Sequence, residues 1–166
     1  MSITKYHKHV RVIHALSALL IISLFVVGKV MEKSDNEVVM SLIPFHSIGG
    51  YVLLFLTVYR TWLLFKKERP APVETGKAWN QKLMYVIHRA FYVLMFVAIA
   101  SGMIVVATGG YPEAFDAGDA ALITGTPFKP VHGMTTLLLI VLLIAHIGGV
   151  VRHYLRTKEN TLKRIV

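Results

Sequence analysis

Eight histidines punctuate this chain of 166 residues, and five of them, His14, His46, His88, His132 and His146, fall inside long apolar runs. An ionisable side chain in hydrocarbon is costly and is kept where it has a partner or a function. His132 and His146 stand fourteen positions apart. On a helix that spacing leaves them within ~40° of one face and separated by ~21 Å along the axis. His46 opens its run at the depth of His132. His14 opens its run from the opposite side, at the depth of His146, and His88 lies at that depth too. The helices therefore offer two stacked layers of opposed imidazoles: His46 with His132, and His146 with either His14 or His88. Bis-imidazole ligation of an iron porphyrin needs this arrangement, because two axial nitrogens approach the metal from opposite faces, and bundle cores house such sites. A zinc site would need its ligands to converge on one centre, which layers ~21 Å apart cannot do. A proton relay would meet the same gap with no titratable residue in it. A haem-free transporter or scaffold is the bland alternative, and a visible spectrum would identify it.

The elements that must position these histidines are apolar runs at about 12–30, 42–65, 83–107 and 131–151. Each is near the ~20 residues that cross a ~30 Å hydrocarbon core. Pro44 and Pro130 are expected at the first turn of a span, where a missing N–H costs nothing. A short polar loop (31–41), a Pro- and Lys-rich loop (66–82) and a Gly-rich loop (108–129) join the spans. The fold expected is all-α: an integral membrane four-helix bundle forming one domain over 1–166. Small residues beside the histidines, namely Ala15, Gly49, Gly50, Gly133, Gly148 and Gly149, would leave room for a porphyrin or simply let helices pack closely.

Composition agrees. Over half the residues are apolar (55%), more than a soluble chain this short could bury. The net charge of +9 would suggest nucleic acid in a soluble protein. Here the basic residues sit between apolar runs, so they report membrane orientation and no nucleic-acid partner is expected. Thirteen lysines and arginines collect on the side of the termini, against Lys29, Lys33 and Lys129 on the other. That bias places both termini in the cytoplasm. The basic start of the chain is followed by no small-residue cleavage site, so the first run is expected to stay as a helix. There is no cysteine, which excludes disulfides, iron–sulfur clusters, thiolate ligation and covalently attached haem.

The chain resembles the bacterial cytochrome b561 family along essentially its whole length. The resemblance is carried by Arg11-Val-Ile-His14, by Pro44-Phe-His46 with Gly49 behind it, and by Val131-His132-Gly133 through His146 to Arg152-His153-Tyr154 and the Glu159–Arg164 tail. Ala15 stands where the family usually has tryptophan, a change in packing and not in ligation. The resemblance implies two non-covalent b haems in a multi-pass protein of the bacterial inner membrane. His14 and His146 would ligate the cytoplasmic haem, and His46 and His132 the outer one. It also implies electron exchange between a quinone, ubiquinone foremost, and a periplasmic donor or acceptor, superoxide or a redox protein. Any catalytic activity would be that of an oxidoreductase. A haem-bearing anchor subunit of a larger dehydrogenase is the alternative.

Further residues gather at the cytoplasmic ends of the spans. Arg60 and Arg89 could pair with haem propionates, or merely snorkel to the interface. His88 and His153 could flank a quinone and exchange its protons, a neutral imidazole being suited to that work. Lys129, with Lys29 and Lys33, could neutralise outer propionates or attract an anionic reductant.

Overall fold

The computed structural model describes residues 5–67, 70, 71, 73 and 78–165. Arg69, Lys77 and part of the second expected loop lie outside the described residues. Among those described, the chain is all-helical, with no strand. Four helices are long and apolar enough to cross a membrane: α1 (Lys8–Met31), α2 (Asn36–Lys66), α3 (Ala78–Thr108) and, after a short α4 (Tyr111–Ala117), α5 (Phe128–Thr157).

The helices outrun the apolar segments that define them, and in α2 a polar cap sets the early start. The Asp35 side chain accepts from the Val38 N–H at 3.1 Å and starts α2 six residues before the expected span. Pro44 is consequently inside α2 rather than in its first turn. The expectation for this proline is corrected. A proline within a helix cannot donate to the carbonyl four residues back, here that of Met40, and tertiary packing in a long helix absorbs the cost. Pro130, the third residue of α5, keeps its first-turn position.

Packing divides the bundle into two close pairs, α1 on α2 and α3 on α5, joined by lighter α2–α3 and α1–α5 contacts. All four helices meet in one apolar cluster of Ile21, Leu24, Leu53, Met95, Ile99 and Leu139. Leu139 lies seven residues from both His132 and His146, so this cluster fills the space between the two histidine depths. A second cluster, Val10 and Ile13 against Leu63, sets α1 beside the end of α2. Outward-facing residues are apolar and bare, among them Leu19, Phe55 and Ile144, as lipid-facing surfaces are.

An even number of spans brings both ends of the chain to one side, where they touch: the Tyr6 N–H donates to the Arg164 carbonyl at 3.0 Å. The far side is closed by α4 and a 3₁₀ turn (Ala120–Leu122). Gly110 turns the chain into α4 with φ +72°, and a Cβ there would lie 2.5 Å from the Leu122 carbonyl. Ala114 is fully buried beneath it, and burial pushes the Tyr111 phenol up.

Candidate haem sites

The five span histidines form two groups. In the distal group, away from the chain ends, His46 on α2 faces His132 on α5 with ring centroids 6.1 Å apart and planes at 80°. Two metal–imidazole bonds of about 2 Å, plus the half-width of each ring, put the centroids of opposed axial ligands roughly 6 Å apart. The two rings come from different helix pairs, so they oppose one another across the seam of the bundle. His132 Nδ1 lies 2.8 Å from the Ala98 carbonyl, and the Ser101 hydroxyl is 3.5 Å away. A carbonyl only accepts, so Nδ1 carries the proton and Nε2 keeps its lone pair for a metal. The Leu24 carbonyl lies near the His46 ring, outside good hydrogen-bond geometry, and His46 Nδ1 is buried with no partner among the described residues.

The terminal group contains His146, His88 and His14. His146 and His88, from the packed pair α5 and α3, meet edge to face at 5.2 Å, and Phe91 touches the other flank of His146 at 5.5 Å. His88 Nδ1 donates to the Met84 carbonyl at 2.7 Å. His14 enters from α1, on the opposite side of the seam, close enough to feel Arg60, His146 and His88 electrostatically. Its Nδ1 is also buried and unpartnered among the described residues. Arg60 spreads its guanidinium 5.8 Å from the Tyr92 ring.

Other expected site residues stand apart. His153 is paired through Nε2 with the Glu159 carboxylate at 3.1 Å. Lys129 is exposed at the start of α5, and Arg89 is exposed on α3. Lys29 is tied to Glu32 at 2.8 Å.

Of the small residues singled out in the sequence, Gly49 serves helix packing. A Cβ there would come within 2.7 Å of Leu24. Gly50, Gly133, Gly148 and Gly149 face open space. The glycines that touch histidines are two that sequence reasoning missed. A Cβ on Gly102 would lie 2.9 Å from His132 Cε1, and one on Gly28 would lie 3.4 Å from His46 Cε1. Their only signal in the sequence is a glycine within an apolar run, which is not distinctive.

The arrangement fits an iron porphyrin in its donor chemistry. It offers neutral imidazoles, two orphaned ring nitrogens in a low-dielectric seam, and arginines at the terminal end for anionic edges. Among the described residues no group of three or more His, Cys, Asp or Glu gathers to hold a bare metal ion. A ligand set of two histidines is enough where the macrocycle supplies the remaining bonds. An all-helical membrane bundle with imidazoles opposed across its seam defines a multi-pass membrane cytochrome of the b type.

The comparison with protein families makes the assignment specific: the model described as prokaryotic cytochrome b561 matches residues 5–166, and the chain belongs to that family. Members bind haem b and transfer electrons across a membrane. Comparisons with curated proteins and with solved structures found no match.

Proposed function

We infer that the chain holds two b haems, one in each histidine group, and passes electrons between a membrane quinone at its terminal end and a redox partner at its distal end. The observation that carries this reading is the opposed His46–His132 pair at 6.1 Å, repeated by the His146 group on the other side of the apolar cluster. His46 and His132 ligate the distal haem. His14 and His146 ligate the terminal one. What favours His14 over His88 is the family pattern, together with its side of the seam: His88 and His146 belong to the same packed pair of helices. The basic bias of the terminal end places it in the cytoplasm of a bacterial inner membrane, with the distal end in the periplasm.

A bound haem supplies one-electron exchange with no change of ligands. A haem held by two histidines would exchange electrons without binding oxygen, so transfer to and from partners would be outer-sphere. The protein holds the His132 imidazole by its Nδ1 proton on the Ala98 carbonyl, and keeps water out of the space between the layers with the Leu139 cluster. At the terminal end, His88 Nε2 and the His153–Glu159 pair can take or give the protons that accompany quinone chemistry, with Arg60 as the adjoining cation. At the distal end, the exposed Lys129 can steer a soluble partner, superoxide or a redox protein, and ubiquinone is the quinone expected.

Pyridine haemochrome analysis of purified protein is expected to give two haems per chain. One haem or none would overturn the two-layer reading. His88→Ala and His153→Ala are each expected to retain both haems while slowing quinone-dependent haem oxidation or reduction by about 10²-fold, the usual worth of a positioned proton-transfer group. Stopped-flow kinetics with a water-soluble ubiquinone analogue measure this. Unchanged rates in both variants would remove the quinone site from this end, and loss of a haem in His88→Ala would make His88 an axial ligand instead.

A further inference from the structure

Two arginines at the terminal end have buried, unused donors. Arg11 on α1 and Arg60 on α2 each keep a buried Nε that finds no acceptor among the described residues. They share one level of the bundle. Val10 and Ile13, on either side of Arg11, pack against Leu63, almost one turn beyond Arg60. Arg60 lies near enough to His14 and His146 to act on both electrostatically. Arg11 stands one turn before His14 on the same helix. Of the described carboxylates only Glu159 belongs to this end of the molecule, and it is taken by His153. A buried N–H is kept where it finds an acceptor, and the planar fork is shaped to bind carboxylates in pairs of hydrogen bonds. Among the described residues no carboxylate pairs with either of these two forks.

We propose that Arg11 and Arg60 form a two-pronged clamp for the two propionate carboxylates of the terminal-layer haem. The proposal rests on the two-haem reading above and adds the orientation of one macrocycle: its carboxylate edge points toward the cytoplasmic end, between α1 and α2. The clamp does more than anchor. Fixed positive charge beside the iron favours the reduced state, so it raises the potential of this haem relative to the distal one and biases where an electron rests. Oxyanions of an anionic lipid headgroup have the same chemistry, and the test must separate the two.

Arg11→Gln and Arg60→Gln are to be prepared in nanodiscs of neutral lipid and, separately, of lipid containing phosphatidylglycerol. Each haem is followed by potentiometric titration of its α-band, after His146→Ala has identified the terminal component. Each variant is expected to retain both haems and to shift the reduced-to-oxidised ratio of the terminal haem about tenfold toward oxidised at fixed potential, equal to ~59 mV for a one-electron couple. The distal haem should not move, and the shift should be the same in both lipids. Lysine at either position should recover part of it, since the charge returns without the fork. Two haems with unshifted potentials would overturn the clamp alone, as would a shift confined to the distal haem. A shift seen only with phosphatidylglycerol would assign the arginines to lipid. Fewer than two haems in the unsubstituted protein would overturn the underlying reading, and the clamp with it.

Discussion

Replacing His132 with alanine is expected to halve the haem content, removing the distal haem and leaving the spectrum and potential of the terminal haem in place. His146→Ala should do the reverse. The effect is expected to be large because coordination by the histidine pair is what would retain a haem in a chain with no cysteine to attach it. It is local because the Ile21, Leu24, Leu53, Met95, Ile99 and Leu139 cluster separates the two layers. A cavity opened beside His46 need not disturb His146, ~21 Å away along α5. Added imidazole should restore the missing haem in His132→Ala by occupying the vacated space. Difference spectra of the two variants decide the matter. If both bleach the same component, the stacked arrangement is wrong.

Gly102→Val is expected to weaken distal haem binding by 10- to 100-fold, roughly the scale of second-shell damage to a metal site, with no coordinating atom altered. The first carbon of any side chain there would sit 2.9 Å from Cε1 and 3.1 Å from Nδ1 of His132. The imidazole would have to turn off the Ala98 carbonyl that holds it at 2.8 Å, which misdirects Nε2. Gly102→Ala should show a smaller loss of the same kind. Gly28→Ala, whose Cβ would meet His46 at an ordinary 3.4 Å, and Gly50→Ala, which faces open space, should bind both haems normally. Haem titration of the apoprotein gives the affinities. Normal distal affinity in Gly102→Val would show that the ring does not depend on that contact.

Much of the architecture was legible in the residue pattern because a membrane imposes simple rules. Hydrocarbon permits few spanning structures, so four apolar runs became four helices. The fourteen-residue interval between His132 and His146 became two depths because helical rise is fixed. The opposed pairing of His46 with His132 followed from depth alone, and the folded bundle brings these rings together. Helix limits were less legible: caps such as Asp35 act beyond the apolar runs, and this moved Pro44 from a first turn to a helix interior.

The folded bundle adds lateral information: α1 packs on α2 and α3 on α5, so that His46 and His132 come from different pairs. Hydropathy and depth carry no information about neighbours around the bundle, so by themselves they do not distinguish His14 from His88 opposite His146. For the same reason the useful glycines could not be recognised. Gly133, Gly148 and Gly149 are near histidines in sequence and face open space, while Gly28 and Gly102 touch histidines from other helices. Contact between helices depends on packing geometry at the scale of a single methyl group, and a one-dimensional pattern of apolar and polar residues does not encode it.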